Sequence, residues 1–283
     1  MIPSPCLVTD PARVLATSQR LTVAERLHVR LVQRTLEPGP LASTVCWCQR
    51  HVGATWIHLA TRKLLHVSGE ERLPSFDPHQ SYLLVANHRT FFDLYAITAH
   101  LVRTGLSHRI LFPVRSAFFY DRPLGMAVNG AMSFFAMYPP IFRDPKKVVL
   151  NLTSLDELAS QLRRGGVLAG VHPEGTRNRG EDPYQLLPAQ RGIGRVIYQS
   201  RVVVLPVFVH GLAQRLGEQL WNNRDPRRHP VFIVFGSPVP LEDLLERKSS
   251  PRVHQAIADR TLGAVAALSE EERRLRAVFA AAH

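Results

Sequence analysis

The sequence predicts an α/β fold, a mostly parallel central sheet flanked by helices, with an N-terminal amphipathic helix pair ahead of it. From Ser81 onward, short β-branched or aromatic runs alternate with helical periodicity, the pattern of strands joined by crossover helices. Two polar motifs follow directly on apolar runs, and sites in such sheets lie at strand C-terminal ends. The expected division is a helical pair over residues 1–65 and an α/β domain over residues 66–283 that closes with helices.

Residues 12–36 read as an amphipathic helix, with Val14, Leu15, Leu21, Leu27, Leu31 and Val32 interleaved with Arg and Gln. Pro38-Gly39-Pro40 ends it. Residues 41–65 read as a second helix, carrying Trp47, Trp56, Ile57, Leu59 and Leu64 beside Arg50, His51, Arg62 and Lys63. Such a pair either lies at a membrane surface, aromatic residues at headgroup level, or caps the main domain and buries the same side chains. Strands are expected over residues 82–86, 110–114, 133–136, 167–171, 202–209 and 231–235. A helix over residues 152–162 precedes Gly165-Gly166, and residues 254–279 fit one or two terminal helices. No internal repeat or low-complexity segment is present.

The most informative segment is Asn87-His88-Arg89-Thr90-Phe91-Phe92-Asp93, directly behind the apolar run 82–86. Inside one regular helix, His88 and Asp93 would project about 140° apart and could not easily meet. With His88 in a strand-to-helix turn and Asp93 in the first helical turn, the carboxylate can accept the imidazole N–H and leave the other ring nitrogen as a base. The same letters also satisfy a helix-capping pattern, Thr90-x-x-Asp93 ahead of an apolar helix, with His88 an ordinary loop residue. A second motif favours chemistry: residues 167–171 run into His172-Pro173-Glu174-Gly175-Thr176-Arg177. There glycine permits close backbone approach, and the arginine fork suits phosphate.

Composition narrows the partners. Against 23 acidic residues stand 35 Lys and Arg, a formal net charge of +12 that favours an anionic partner such as acidic lipid, acyl carrier protein or nucleic acid. The basic residues are spread along the chain without a nucleic-acid motif. Cys6, Cys46 and Cys48 form no metal or disulfide pattern, which fits a reducing, cytosolic location. The start Met1-Ile2-Pro3-Ser4-Pro5 has no basic leader followed by an apolar segment, and no uncharged stretch approaches the ~20 residues of a membrane span. His88, Asp93, His172 and Glu174 have ligand chemistry suited to zinc or manganese, but lack tight metal-motif spacing and lie beside Arg89 and Arg177. No Gly-x-Ser-x-Gly elbow is present.

Taken in order, these motifs resemble the phospholipid and glycerolipid acyltransferase family: Asn87-His88 followed by four residues and then Asp93, then Pro173-Glu174-Gly175-Thr176-Arg177. Phe112-Pro113-Val114-Arg115, Arg122-Pro123-Leu124-Gly125, Ile141-Phe142-Arg143-Asp144 and Val204-Leu205-Pro206-Val207 are similar to its remaining motif regions, so the resemblance spans residues 64–240. It implies transfer of a fatty acyl group from acyl-CoA or acyl-acyl carrier protein to a lysophospholipid hydroxyl, with 1-acylglycerol-3-phosphate as acceptor. Another lyso-lipid, a glycolipid or glycerol 3-phosphate is the alternative acceptor, and a non-catalytic membrane binder the alternative role. The implied catalytic residues are His88 as base and Asp93 as its orienting partner, without a metal, cofactor or acyl-enzyme. Asn87, Arg115, Arg143, Glu174, Gly175, Thr176 and Arg177 are the implied substrate-binding set. Arg177 with Thr176 and Gly175 would hold phosphate, Glu174 would fix the loop or bind glycerol, and Arg115 would serve the oxyanion or phosphate. The implied location is the cytoplasmic face of the membrane, peripheral or monotopic. Three places depart from the family pattern: Arg115 stands where lysine is frequent, His172 where an aromatic residue is common, and Gln190-Arg191-Gly192 where basic residues are usual after the third motif.

Overall fold

A computed structural model describes residues 10–282; Cys6 and the expectation about the leader lie outside the described residues. The chain opens with α1 (Pro11–Thr17), α2 (Val23–Arg34), α3 (Pro40–Cys48), a π-helical turn at Gln49–Gly53 and α4 (Ala54–Thr61). The expected helix over residues 12–36 is therefore two. Thr22 begins a new helix there: its hydroxyl accepts from Glu25 N at 3.2 Å, and Glu25 Oε2 accepts from Thr22 N at 2.6 Å, a reciprocal cap that forces a break.

These helices do not form a separate unit. Leu15, Leu21, Val29, Val32 and Leu64 belong to the same buried cluster as the sheet. Lys147 also donates to the buried Glu25 Oε1 at 2.6 Å, and Gln33 donates to Tyr138 Oη at 2.9 Å. The second helix expected over residues 41–65 ends at Thr61, and β1 (Leu65–Ser68) follows, a strand outside the expected set. Leu65 to Ser68 pair with Val231 to Val234, so this edge is held by a strand more than 160 residues away in sequence.

The sheet continues with β2 (Tyr82–Ala86), followed by α5 (Asp93–Arg103), β3 (Arg109–Leu111), β4 (Val114–Arg115), the single turn α6 (Ser116–Phe119) and α7 (Pro123–Ala131). Next come β5 (Pro140–Ile141), α8 (Leu150–Arg164), β6 (Val167–Val171), α9 (Arg191–Ser200) and β7 (Val203–His210). The last elements are α10 (Leu216–Asn222), β8 (Val231–Phe235), α11 (Glu242–Leu245) and α12 (Pro251–Ala282). The six-stranded order is β1-β8-β7-β2-β6-β3, parallel except between β7 and β8. Strands β2 and β6 are buried throughout, as their unbroken apolar runs require in a sheet covered on both faces. Because they are parallel neighbours, with Tyr82 opposite Leu168 and Val85 opposite Val171, both polar motifs leave the sheet at one edge.

The expected strand at residues 133–136 is a turn, because Phe134 and Phe135 adopt φ of 47° and 57°, left-handed values no strand contains. The expected strand at residues 110–114 is divided, and its second part pairs in a small two-stranded sheet that sets Arg115 opposite Ile141. This brings Arg115 and Arg143 to one region of the molecule.

Candidate active site

His88 and Asp93 meet as their spacing requires. The chain leaves β2 at Ala86, turns through residues 87–92 and enters α5 at Asp93. His88 Nδ1 lies 3.3 Å from Asp93 Oδ2. That oxygen also accepts from Arg89 N at 2.7 Å and Thr90 N at 2.8 Å, while Oδ1 accepts from the Thr90 hydroxyl at 2.7 Å. Asp93 is 1% exposed. A carboxylate only accepts, so Nδ1 carries the imidazole proton and the Nε2 lone pair is left for the cleft that His88 lines. The helix-capping and base-orienting readings of Thr90-x-x-Asp93 are thus both realised: one carboxylate closes the turn and aims the ring.

The second motif clasps the first. Glu174 Oε1 accepts from His88 N at 2.8 Å and Oε2 from Leu187 N at 2.9 Å; Asn178 N donates to His88 O at 2.8 Å. Glu174 is 1% exposed, and burial lifts its carboxyl above the ordinary value although the amides of Leu187 and His88 pull it down. Buried and bonded to backbone through both oxygens, Glu174 fixes the loop, one of the two roles expected for it. Asn87 is held in the same way. It is fully buried, its Nδ2 donates to Val209 O at 2.8 Å and its Oδ1 accepts from Val209 N at 2.8 Å, extending the β2–β7 pairing by side chain. It locks the sheet below the site.

His172 lies flat on His88, with ring centroids 3.8 Å apart and planes 7° from parallel. Its Nδ1 donates to Ala86 O at 3.0 Å. Burial, reinforced by His88, pushes this imidazole down to about 3. Gly175 turns the loop with φ +65°, and a Cβ there would stand 2.7 Å from Gln190 Cγ.

The cleft beside His88 holds about 880 Å³. Phe91, Leu94, Tyr95, Phe112, Phe119 and Met137 give it an apolar lining, while Arg115, Arg143, Arg177 and Arg179 give it cationic groups. Among the described residues no carboxylate lies within 4.0 Å of any of those arginines. Arg177 reaches Gln214 Oε1 at 3.5 Å and Arg143 reaches Gly175 O at 3.5 Å. Gly175 and Thr176 line it too, so Arg115, Arg143, Gly175, Thr176 and Arg177 share one cleft with His88. Sequence reasoning missed Arg179, two residues beyond Arg177 on the same loop, and Gln214, which also donates to Arg89 O at 3.0 Å.

His88, Asp93 and His172 offer ligand atoms within 4.8 Å of one another. They make a poor chelate. Asp93 already accepts from two amides and a hydroxyl, the His172 Nδ1 proton is committed to Ala86 O, and stacked parallel rings send their in-plane lone pairs side by side.

A carboxylate-aimed imidazole at the strand ends of an α/β sheet, beside an apolar, arginine-bearing cleft, has the geometry for proton transfer. The chain belongs to the Acyltransferase family, whose sequence profile matches residues 64–210. The 1-acyl-sn-glycerol-3-phosphate acyltransferase alpha of Mus musculus is 28% identical over 169 residues, 60% of this chain and 53% of that protein. The Homo sapiens protein of the same name is 28% identical over 134 residues, 47% of this chain and 42% of its own length. The chain thus spans about half the length of the curated relatives it matches. A similar fold occurs in the crystal structure of the 1-acyl-sn-glycerophosphate (LPA) acyltransferase PlsC from Thermotoga maritima, with TM-score 0.51, 16% identity and 93% of each chain covered.

Two half-buried imidazoles at this edge, both held below their ordinary value, give a pH signature. His172 stands at about 3 and His210, pushed down by burial and then by Arg276, at about 4. The unfolded chain binds these protons near 6.5, so below that value it holds more protons than the folded state. Their contribution is fully present above about 6.5 and is lost as pH falls towards 4. Urea midpoints measured from pH 7 down to 4.5 are expected to decline, less steeply in His210→Phe. A flat profile contradicts the lowered values of these rings.

Proposed function

We propose that the protein is an O-acyltransferase that moves a fatty acyl group from an acyl thioester, acyl-CoA or acyl-acyl carrier protein, to the free hydroxyl of 1-acylglycerol-3-phosphate, forming phosphatidic acid. The observation that carries this is the oriented Nε2 of His88 opening on a cleft that is apolar along one part and bears arginines along another. His88 Nε2 takes the hydroxyl proton as the oxygen attacks the thioester carbonyl. The C–S bond then breaks, and the departing thiolate recovers the proton from the imidazolium, so His88 ends neutral. Asp93 stabilises the imidazolium between these events. Arg177, with Thr176 and the Gly175 backbone, is assigned to the acceptor phosphate, and Arg115, Arg143 and Arg179 to the remaining anionic groups. No metal or cofactor enters this scheme. The relatives named for 1-acyl-sn-glycerol-3-phosphate support this acceptor, and the unpaired arginines favour a phosphorylated one over a glycolipid or lyso-ornithine lipid.

His88→Ala is expected to lower kcat by roughly 10²–10⁴ with the fold retained, the usual contribution of a general base. In the same assay, Arg177→Ala should raise KM for lysophosphatidic acid by roughly 10–150-fold, the scale of one lost charge-assisted bond, while KM for the donor holds. Near-normal turnover in His88→Ala removes the mechanism. Equal impairment of Arg177→Ala towards both substrates shows that it supports the loop and does not bind the acceptor phosphate.

No helix of the described residues is long and apolar enough to cross a membrane. A peripheral attachment suits the exposed Leu41, Trp47, Val52 and Leu59 of the α3–α4 segment beside Arg62 and Lys63. Exposed Leu220 and Trp221 of α10 adjoin this segment, since Asn223 donates to Ala60 O at 2.6 Å. Trp56 is not part of that face: it is half-buried, its ring 6.5 Å from Tyr95. Full-length protein should sediment with anionic vesicles and be released by salt, since each nearby basic residue contributes about 1 kcal/mol. Replacing Trp47 and Trp221 together by Ala should weaken sedimentation; unchanged binding contradicts this face.

A further inference from the structure

His88 is held by Asp93 at a single ring atom, and the distance is 3.3 Å. One bond of that length locates Nδ1 but leaves the imidazole free to tilt about the bond, and a tilted ring carries its opposite nitrogen out of line. The face of His88 therefore needs a second restraint, and the only ring lying against it among the described residues is that of His172, parallel to within 7° at 3.8 Å.

His172 is itself anchored. The ladder between β2 and β6 ends with Val85 opposite Val171, so the next carbonyl of β2, Ala86 O, lies beyond the last backbone pair on that side. The His172 Nδ1–H occupies it at 3.0 Å, replacing a ladder amide by a side chain. The ring is thereby fixed to the same strand that carries His88. We propose that His172 is the positioning residue for His88, a plate hydrogen-bonded to the end of β2 that sets the tilt of the neighbouring imidazole and keeps its Nδ1 on Asp93 and its Nε2 on the cleft. The proposal rests on the reading of His88 as the base and adds to it the reason that base is held at a fixed angle. A plain aromatic residue at this position supplies the face without the hydrogen bond. Burial keeps His172 uncharged, so it adds no positive charge beside the proton that His88 receives.

The test compares full-length wild type with His172→Ala and His172→Phe by steady-state kinetics and by nitrogen-15 NMR of the histidine rings. His172→Ala is expected to lose roughly 10–100-fold in kcat, the scale of a misaligned catalytic group, with KM for acyl-CoA and for lysophosphatidic acid within about twofold of wild type. His172→Phe keeps the face and loses the anchor, so its kcat falls between the two at unchanged KM. In the spectra, the wild-type His88 and His172 rings should both be Nδ1–H tautomers, His88 should average between tautomers in His172→Ala, and His172→Phe should retain most of the Nδ1–H form. An unchanged kcat in His172→Ala overturns the proposal, as does a raised KM with kcat kept, which makes His172 only a cleft wall. If the alanine variant does not fold, the phenylalanine variant decides: wild-type kcat together with a wild-type His88 spectrum overturns it. The tautomer readout is independent of turnover. Full activity in His88→Ala with a scrambled His88 ring in His172→Ala refutes the base and leaves the positioning intact.

Discussion

Asp93 is the group on which the rest of the site depends. It begins α5, and a carboxylate at a helix N-terminus is stabilised there whatever it does for function. By accepting from the amides of Arg89 and Thr90 it also closes the turn behind β2, and the oxygen that takes both amides faces His88 Nδ1. The base thus inherits its direction from a backbone turn. A ring aimed by a flexible side chain would pay ordering entropy at each turnover; here the turn has been ordered by folding.

The parallel adjacency of β2 and β6 then explains why distant motifs act together. Glu174, His172 and Asn178 all bond the segment that runs from Ala86 to His88, each through a different atom, and Asn87 secures the same segment to β7 on its other side. The result is a short stretch of chain held from both neighbouring strands, with the His88 ring as the part directed outward. Around it the arginines stand without carboxylate partners. Arginines without carboxylate partners beside a partly apolar wall give that part of the cleft a positive character that favours an anionic group.

Much of this was legible in the sequence, and for identifiable reasons. The strands at residues 82–86, 167–171 and 231–235 are unbroken apolar runs, and buried parallel strands need little else. The spacing between His88 and Asp93 excludes a shared helix, which left the turn geometry that is observed. What the sequence hid are matters of which partner satisfies which polar atom. Asn87 sits inside a motif, yet its amide bonds the backbone of Val209 in the sheet, and of the two roles open to Glu174 its bonds to His88 N and Leu187 N realise the loop-fixing one. The stacking of His172 on His88 joins two strands and has no signal in one dimension. Amphipathic periodicity describes a buried helix and a membrane-surface helix alike, so the sequence left both roles of the N-terminal helices open; Thr22 and Glu25, a capping pair visible in the sequence, marked the break between α1 and α2.

The central claim is direct transfer to a hydroxyl activated by His88. Intact-mass analysis of the purified protein mixed with a labelled long-chain acyl thioester, first alone and then with lysophosphatidic acid, tests it most directly. The account predicts an unmodified protein mass in the absence of acceptor, and labelled phosphatidic acid in a single turnover once acceptor is added. An acyl adduct on the protein that passes its label to the acceptor, or no acylated lipid from any lyso-acceptor, contradicts it.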